Sequence, residues 1–297
     1  MKCLVTGGCG FIGSHIVDRL IDDGHEVVVL DNFSANNEVF YMDDRANYVK
    51  QDIANYPFTR TFYDGVDVVF HLAAESRVQP AIENPIQAFE KNVLGTAVVL
   101  QCAREYGVKR VVYSTTSAAY GLNEPPNVET DKTDCLNPYS VSKIAGEEVC
   151  KMYSNLYGLE TVCLRYFNVF GKRAPDAGQY APVTAIFKRQ KKAREPLTIV
   201  GDGKQSRDFI HVQDIVEANL LAATAELKEF GEVFNVGSGT NYTIQEIADK
   251  IDSENQKYLP PREGEAYTTL ADISKIKSVL GWEPKINLLE WIENGQK

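Results

Sequence analysis

The chain has 297 residues, with 31 basic and 41 acidic side chains and a formal net charge of −10. Hydrophobic residues make up 44% and charged residues 24%, which is ordinary for a globular protein with a sizeable core. The acidic balance argues against broad binding to nucleic acid or to anionic membranes, and no apolar run approaches the length of a membrane span. An anionic substrate therefore requires local cations.

Cysteine and histidine are scattered along the chain and show no spacing typical of metal ligands. The six cysteines include no C-x-x-C pair, and several lie in apolar runs, where a thiol behaves as a small hydrophobic group. We therefore expect no metal site and no disulfide framework, and a reducing, cytoplasmic location. The chain begins directly with a predicted strand, so we expect no signal peptide before the fold.

The first 31 residues predict the start of a βαβ unit. An apolar run at residues 3–5 predicts a buried strand, and three glycines follow at a spacing of three, Gly7, Gly10 and Gly13. Apolar residues then recur with helical period from 12 to 21, and a second buried strand at 27–30 ends in Asp31.

This arrangement predicts a dinucleotide site. Glycine permits the tight turn and the approach of a pyrophosphate, Gly13 lets the helix pack closely on the strand, and the first N–H groups of the helix face the anion. Asp31 lies where a carboxylate binds ribose hydroxyls, and its charge favours NAD over NADP because it would repel a 2′-phosphate. An ordinary strand-to-helix turn, the simpler interpretation, does not require Asp31.

The next elements continue the alternation of strand and helix. Residues 48–53 predict a third strand ending in Asp52, which we expect with Ile53 near the adenine, although Asp52 alone also fits a plain strand end. Residues 66–74 predict a fourth strand with a small-residue tail, and a helical segment at 85–106 carries Asn92. His71, near the end of the fourth strand, is more simply a hydrogen-bonded structural histidine than a catalytic one.

The fifth predicted strand, 110–116, leads into hydroxyl-bearing residues that include Thr116. A helix opens at Pro138 and places Tyr139 and Lys143, four residues apart, on one face. A sixth strand at 161–167 completes an alternation over some 170 residues, which predicts an α/β fold with a Rossmann-type, doubly wound parallel sheet.

Beyond Gly171 the elements become shorter and mixed. We predict helices at 183–194, 213–227, 243–251 and 273–280, and strands at 197–200 and 233–236. The sequence thus divides into a sheet domain, 1–170, and a smaller mixed α/β C-terminal substrate lobe, 171–297, with segments near 207–236 returning to the sheet. Between Gly237 and Arg262 we expect little room for a helix–strand segment. The basic residues of the helix at 183–194 are most simply a solvated face.

Tyr139, Lys143 and Thr116 fit a hydride-transfer site. A tyrosine with a pKa near 10 is a poor base at neutral pH, but a neighbouring ammonium group and a charged nicotinamide would lower that pKa. The Thr116 hydroxyl could share the proton of a reacting sugar hydroxyl. A tyrosine and a lysine four residues apart also occur by chance on many helices, so the preceding dinucleotide motif is what gives the pair weight.

The chain resembles the extended short-chain dehydrogenases/reductases, and within them the NAD-dependent nucleotide-sugar 4-epimerases of the UDP-galactose and UDP-N-acetylglucosamine type. The resemblance covers nearly the whole chain. Its motifs are Gly7-Gly8-Cys9-Gly10-Phe11-Ile12-Gly13-Ser14-His15, Asp31-Asn32, Asp52-Ile53, His71-Leu72-Ala73-Ala74, Asn92-Val93-x-Gly95-Thr96, Tyr139-Ser140-Val141-Ser142-Lys143, Arg165-Tyr166-Phe167-Asn168-Val169-Phe170-Gly171, Arg207-Asp208-Phe209-Ile210-His211 and Arg262-x-Gly264-Glu265.

The resemblance implies an NAD that stays bound, takes a hydride from the sugar C4 and returns it to the other face of a 4-keto intermediate. It implies that Tyr139 removes the 4-hydroxyl proton, assisted by Thr116 and Lys143. The implied cofactor-binding residues are Gly7, Gly10, Phe11, Ile12, Gly13, Asp31, Asn32, Asp52, Ile53, Leu72, Ala73, Ala74, Asn92, Tyr139, Lys143 and Tyr166. The implied substrate-binding residues are Thr116, Asn168, Thr198, Val200, Arg207, Arg262, Glu265 and Thr269. It also implies a homodimer through helices near 92–106 and 142–157.

Among these, Asn168, Arg207 and Arg262 match positions that hold the nucleotide diphosphate, and guanidinium groups suit that role. Each arginine taken without the family is more simply a surface charge. Thr269 matches the position that gates the sugar pocket, where a small residue admits N-acetyl groups.

Other enzymes of this fold are the main alternatives. The related 4,6-dehydratases carry Thr-Asp-Glu where this chain has Thr116-Ser117-Ala118, and UDP-glucuronate decarboxylases place a glutamate at the position of Ala118. Without that carboxylate both rank lower, while a 4-reductase remains open. A non-catalytic NAD-binding protein is the alternative of another class, and the presence of Tyr139 and Lys143 argues against it.

Overall fold

The computed structural model describes residues 1–34, 40–177, 181–261 and 266–294. The strands are β1 (Lys2–Thr6), β2 (Glu26–Asp31), β3 (Asn47–Lys50), β4 (Val68–His71), β5 (Arg110–Thr116), β6 (Glu160–Tyr166), β7 (Asn168–Phe170), β8 (Leu197–Val200), β9 (Ser206–His211), β10 (Glu232–Val236), β11 (Asn241–Thr243) and β12 (Gln256–Leu259). The α-helices are α1 (Phe11–Asp22), α2 (Tyr56–Thr59), α3 (Val78–Glu83), α4 (Pro85–Phe89), α5 (Gly95–Glu105), α6 (Pro138–Tyr157), α7 (Val183–Ala193), α8 (Val212–Thr224), α9 (Ile244–Asp252), α10 (Ser274–Leu280) and α11 (Leu288–Glu293).

A seven-stranded sheet has the order β10-β6-β5-β4-β1-β2-β3. β1 pairs in parallel with β2 on one side and with β4 on the other. The order 3-2-1-4-5-6 is that of a Rossmann fold, in which the direction of winding reverses between strands 1 and 4. The predicted fold class is confirmed, and the carboxyl ends of β1 and β4 form the crevice where such folds bind ligands.

The central strands are buried because helices cover both faces of a doubly wound sheet. All seven residues of β5 and all four residues of β4 are buried. A large apolar cluster joins these strands to α5 and α6, with members such as Val69, Val99, Val111 and Cys150. This packing fixes the ends of the strands, from which the candidate site residues project.

The chain groups into two compact units. The first contains Met1–Thr116, Asn137–Arg165 and Val216–Phe234, and the second contains Ser117–Leu136, Tyr166–Ile215 and Asn235–Lys297. The segment near 207–236 was predicted to return to the sheet. Of this segment, Val216–Phe234 groups with the first unit. Two groupings differ from the division predicted at residue 170, since residues 117–136 and 166–170 group with the second unit.

The second unit has its own apolar core, which includes Phe170, Phe187, Ile199, Ile247 and Trp291. Two small sheets complete it, with strand orders β11-β9-β7 and β12-β8. The expectation of little room after Gly237 is wrong. A capping box at Thr243 starts α9 directly after β11, so two strands and a helix fit into the short segment.

Several predicted elements are shorter or divided. β3 ends at Lys50, before Asp52, and the predicted helix at 85–106 consists of α4, a π-helical turn at Glu90–Leu94 and α5. α3, β12 and α11 were not predicted, because short elements give few periods of hydrophobic alternation. The four basic residues of α7 are exposed, as expected of a solvated face; they are Lys188, Arg189, Lys191 and Lys192.

Candidate active site

The glycine turn between β1 and α1 requires glycine at two of its three positions. Gly7 has φ +71°, and a Cβ added there would lie 2.7 Å from the backbone nitrogen of Ala73. A Cβ on Gly13 would lie 2.2 Å from the carbonyl oxygen of Gly7. A Cβ on Gly10 would lie 3.3 Å from the carbonyl oxygen of Gly7, a tight contact but a less severe one than those at Gly7 and Gly13.

Helix α1 begins after Gly10 without a side-chain cap. Its first residues, Phe11 and Ile12, are half-buried. The N–H groups of a first helical turn have no partner within the helix, and together with the helix dipole they favour an anion. The geometry is therefore that of a phosphate-binding turn.

Asp31 ends β2 and is fixed by two backbone groups. The N–H of Cys9 donates to Oδ2 at 2.9 Å and the N–H of Phe33 donates to Oδ1 at 2.8 Å. The carboxylate is thus tied to the glycine turn itself, and each oxygen retains a further lone pair for a ribose hydroxyl. This contact between Asp31 and the turn explains why the two features occur together in the sequence.

Asp52 lies next to Asn32 and Lys91. Of these two neighbours, sequence reasoning missed Lys91. Lys91 Nζ donates to Asp52 Oδ2 at 2.6 Å, and Asn32 Nδ2 donates to the same oxygen at 3.4 Å. Burial, the largest single influence, raises the pKa of Asp52, but the hydrogen bonds from Lys91, Ala54 and Asn32 and the charge of Lys91 together outweigh it and the pKa is lowered. Ile53 is buried against Gly95, where an added Cβ would lie 2.7 Å from its Cδ1.

The end of β4 carries His71 and the half-buried residues Leu72, Ala73 and Ala74. His71 Nδ1 lies 2.7 Å from Thr6 Oγ1 and its Nε2 lies 3.0 Å from Thr96 Oγ1. Burial and the charge of Lys143 lower the pKa of His71 to about 3, so the imidazole is neutral. His71 is a structural histidine, as the sequence favoured.

Asn92 links three elements from a fully buried position in the π-helical turn. Its Oδ1 accepts the N–H of Glu75 at 2.8 Å, and its Nδ2 donates to the Glu75 carbonyl at 2.9 Å and to Ser142 Oγ at 2.8 Å. Ser142 Oγ in turn donates to the carbonyl of Tyr139 at 2.8 Å. Asn92 therefore connects the loop after β4 with the start of α6.

Helix α6 presents Tyr139 because of its N-terminal sequence. Asn137 and Ser140 form a capping box, and Pro138 occupies the first turn. The side chain of Tyr139 is hydrogen-bonded to Thr116, the last residue of β5. The two residues predicted to handle the sugar hydroxyl proton are therefore in contact.

The prediction that the Tyr139 pKa is lowered is wrong as far as the protein's own groups are concerned, because together they raise this pKa. Burial raises this pKa, although the hydrogen bond from Thr116 and the charge of Arg77 act to lower it and Glu75 acts to raise it. A phenol removed from water is a weaker acid because the phenolate loses hydration.

Lys143 is 3% exposed, and its Nζ lies 4.2 Å from the centre of the Tyr113 ring. Burial lowers the pKa of Lys143 to about 8, whereas Cys150, Glu147 and Cys163 act to raise it. The aromatic face stabilises the ammonium group by a cation–π contact. The ammonium group of Lys143 can therefore lose its proton at a pH only slightly above neutral.

Sequence reasoning missed several charged residues around Tyr139 and Lys143. Glu75 and Arg77 follow β4, whose carboxyl end was already predicted to line the crevice, and both act on the Tyr139 pKa. Glu147 is one helical turn beyond Lys143, a spacing that the sequence displays. Two signals in the sequence could have identified these residues: the position of Glu75 and Arg77 just after a strand, and the position of Glu147 four residues after Lys143 on a helix.

In the second unit, three of the predicted substrate residues meet around β9. Asn168 Nδ2 donates to the carbonyl of Asp208 at 2.9 Å and to Thr269 Oγ1 at 3.4 Å. Arg207 Nη1 donates to the carbonyls of Ser206 and Tyr267, each at 2.9 Å. Asn168, Arg207 and Thr269 therefore form one polar group.

The remaining predicted substrate residues lie elsewhere in this unit or outside the described residues. Thr198, on β8, accepts a hydrogen bond at Oγ1 from Gln190 Nε2 at 2.9 Å, and Val200 ends the same strand. Arg262 and Glu265 lie outside the described residues. Tyr166, predicted to contact the cofactor, is a buried residue at the end of β6.

The residues of the first unit fit a dinucleotide. A Cβ at Gly7 or Gly13 would clash with backbone atoms of the turn, and the Asp31 carboxylate is fixed beside the turn by the N–H of Cys9. Gly7, Gly10 and Gly13 would hold the pyrophosphate and Asp31 a ribose. Among the described residues there is no group of three or more potential metal ligands, and no helix within those ranges is long and apolar enough to cross a membrane.

The chain is similar to known proteins along nearly its whole length. Residues 3–237 match the model of the NAD dependent epimerase/dehydratase family. A putative UDP-glucose 4-epimerase of Methanocaldococcus jannaschii is 39% identical over 98% of this chain and 95% of its own length. A UDP-N-acetyl-alpha-D-glucosaminuronate decarboxylase of Bacillus cytotoxicus is 34% identical over 96% of this chain and 94% of its own length. The crystal structure of a Thermotoga maritima UDP-glucose 4-epimerase with UDP-glucose superposes with a TM-score of 0.93, at 35% identity and full coverage of both chains.

Proposed function

Because the chain belongs to the NAD dependent epimerase/dehydratase family and is an enzyme that uses NAD, we propose that its reaction is the 4-epimerisation of a UDP-hexose. The substrates are the UDP-glucose/UDP-galactose pair and also the pair UDP-N-acetylglucosamine/UDP-N-acetylgalactosamine. The reaction passes through a transient 4-keto sugar and consumes no cofactor. The observation that carries the proposal is the hydrogen bond between Thr116 and Tyr139 at the carboxyl edge of a dinucleotide-binding sheet.

In this reaction Tyr139 takes the proton of the sugar 4-hydroxyl, and Thr116 holds the same oxygen and shares that proton. NAD, held by Gly7, Gly10, Gly13 and Asp31, would supply a reversible hydride acceptor for the sugar C4. Lys143 and the positively charged nicotinamide of a bound NAD would together favour the phenolate of Tyr139 against the effect of burial. Thr116 and Lys143 are buried and Tyr139 is half-buried, which limits the water that would otherwise compete for the proton.

Asn168, Arg207 and Arg262 bind the diphosphate of the nucleotide in this proposal. Arg207 already lies in a fixed polar group, and a guanidinium donates two parallel hydrogen bonds to phosphate oxygens. These cations supply the local positive charge that an acidic chain needs for an anionic substrate. The other substrate residues, Thr198, Val200 and Glu265, contact the nucleotide or sugar in this proposal.

Relatives with other reactions are the alternatives, namely a dehydratase, a decarboxylase or a 4-reductase. Ser117 and Ala118 supply no carboxylate after Thr116, so the acid/base group for eliminating water is missing from that position. This absence favours epimerisation over dehydration. A non-catalytic NAD-binding protein would not need Tyr139 and Lys143.

Product analysis distinguishes these reactions. The purified protein is incubated with UDP-glucose and then with UDP-galactose, and the sugars are followed by proton NMR. An epimerase gives the same equilibrium mixture from either side, without net formation of NADH. A 4-keto-6-deoxy sugar as product would indicate a dehydratase instead. Release of carbon dioxide from a uronate would indicate a decarboxylase, and stoichiometric consumption of the cofactor would indicate a 4-reductase.

We also propose a homodimer. Exposed apolar side chains lie on α4, on the turn after it and on the neighbouring α6; they are Ile86, Phe89, Leu94, Val141, Met152, Leu156 and Tyr157. Several exposed apolar side chains on neighbouring helices are typical of a protein interface. The variant Leu156→Glu should give monomers by light scattering, whereas Leu122→Glu, at an exposed leucine elsewhere, should not. A wild-type protein that is monomeric at micromolar concentration would contradict the dimer.

A further inference from the structure

A buried ion pair lies one helical turn beyond Lys143. Arg165 donates from Nε to Glu147 Oε1 at 3.0 Å and from Nη2 to Oε2 at 2.7 Å, a bidentate arrangement. Both side chains are only 5% exposed. Removing two charges from water is costly, so this pair needs a reason beyond stability.

Glu147 also joins the helix to the strand that carries Thr116. The hydroxyl of Thr115 donates to Glu147 Oε1 at 2.8 Å, and Thr115 directly precedes Thr116 on β5. Helix and strand are in close contact at this level, since a Cβ added to Gly146 would lie 2.2 Å from the hydroxyl of Tyr113. One carboxylate thus connects α6, β5 and, through Arg165, β6.

We propose that Glu147 is a positioning residue for the proton-transfer site, holding the Thr116 end of β5 against α6 and supplying the negative charge that keeps Lys143 an ammonium. The proposal rests on the proposed function only in naming the reaction that Lys143 serves. It assigns two separable roles to one carboxylate, one through the hydrogen bond to Thr115 and one through charge.

The charge role follows from what surrounds Lys143. The groups that face it are His71 from β4, Tyr113 from β5, Cys163 from β6, and Cys150 and Glu147 from its own helix. His71 is neutral, and Tyr113 and Cys163 have pKa values raised well above their ordinary range, so these three stay uncharged at neutral pH. Cys150 and Glu147 both act against the effect of burial on Lys143, and of the two Glu147 is the carboxylate, one helical turn away on the same face of α6.

Two variants separate the two roles. Glu147→Gln keeps an oxygen for Thr115 but removes the negative charge. The pKa of Lys143 should then fall by about one unit, because an opposite charge is lost and Arg165 is left unpaired. Thr115→Val keeps the ion pair and removes the hydrogen bond, so kcat should fall about 2- to 10-fold while the Lys143 pKa stays unchanged.

Both readouts are made on the full-length protein. The first is the basic limb of the kcat–pH profile, which follows loss of the Lys143 proton. The second is the pH titration of the Lys143 Cε signal in protein with ¹³C-labelled lysine, assigned by its absence from Lys143→Arg. If the wild type turns over no UDP-sugar the proposed function fails, while the titration still tests the role of Glu147.

Glu148→Gln is the matched control, the same substitution at the next, exposed position of α6. Glu148→Gln should leave unchanged both the basic limb of the kcat–pH profile and the midpoint of the Lys143 titration. If Glu147→Gln does not fold, the double variant Glu147→Gln/Arg165→Gln, which leaves no unpaired buried charge, is expected to lower the midpoint in the same direction. A midpoint in the folded Glu147 variant equal to that of wild type would overturn the charge role, and an unchanged kcat in Thr115→Val would overturn the positioning role.

Discussion

The two polar groups of this protein are held by different means. Around Tyr139 and Lys143, side chains hold one another in a buried environment, as the contact of Thr115 with Glu147 and the stacking of Lys143 on Tyr113 illustrate. Around Arg207 and Asn168, side chains bind mainly to backbone carbonyls.

The difference has a physical consequence. A buried group whose partners are themselves fixed loses little by reorganising during a reaction, which is the requirement for acid–base chemistry. A group held by backbone carbonyls depends less on which side chains surround it. The side chains around Arg207 and Asn168 can therefore change, and with them the choice of substrate, without altering the proton-transfer residues. Substitutions near Tyr139 should therefore lower kcat, and substitutions near Arg207 should change KM or the choice of sugar.

The strongest test is Tyr139→Phe. Loss of the proton acceptor should lower kcat about a thousandfold, within the range for removal of a general base, while NAD binding and the unfolding temperature stay near those of wild type. Tyr157→Phe, at an exposed position of the same helix, is the control. Turnover by Tyr139→Phe within a few-fold of wild type would refute Tyr139 as the base.

Lys143→Met should lower kcat about a hundredfold and make the protein more stable. The pKa of Lys143 falls from 10.5 to about 8 on burial, which corresponds to a cost of about 3 kcal/mol at neutral pH, part of which the Tyr113 ring already offsets. The folded state binds fewer protons than the unfolded state between pH 8 and 10.5, so the free energy of unfolding of wild type rises with pH across that window.

Denaturant unfolding at several pH values checks this prediction. Lys143→Met should show a higher free energy of unfolding at pH 7 and no rise between pH 8 and 10.5. A variant that is less stable than wild type at pH 7 would contradict the cost assigned to the buried ammonium.

Arg207→Met tests the recognition side. We expect KM for the UDP-sugar to rise about 10- to 50-fold, as for loss of a charge-assisted hydrogen bond, with kcat changed much less. Arg189→Met, on the exposed face of α7, serves as the control. A variant whose kcat falls as far as that of Lys143→Met, with KM unchanged, would remove the distinction between the two groups.

The smallest effect is expected at Thr269. Its hydroxyl accepts the N–H of Asp208 at 3.2 Å, and Thr269→Tyr would place a larger side chain at the position matched to the sugar gate. The ratio of turnover of the N-acetyl pair to that of the hexose pair should fall, whereas Thr269→Ser should keep it. Failure of the wild type to convert the N-acetyl pair would show that Thr269 does not widen the specificity.

The interpretation of the first unit could be made in detail from the sequence because its signals are local. The spacing of Gly7, Gly10 and Gly13 between two apolar runs, and Asp31 at the end of the second, report backbone conformation and strand order within one short segment. His71 was also interpreted correctly, as a histidine satisfied by neighbours.

The second unit was harder to predict because its elements are short and depend on distant partners. β8 pairs with β12, some sixty residues later, and nothing in four residues of sequence indicates that partner. The polar group of Asn168, Arg207 and Thr269 is assembled in the same way, from positions about a hundred residues apart.

The sequence by itself determined the parallel sheet, the glycine turn and the placement of Tyr139 and Lys143 on one helical face, because hydrophobic periodicity and glycine spacing act over a few residues. Only the tertiary structure decided the ionisation of those side chains. Burial raises the pKa of Tyr139 and lowers that of Lys143, and the Glu147–Arg165 pair lies beside them only once α6, β5 and β6 have packed together. Desolvation and charge proximity are properties of the packed interior, so no local pattern could report them.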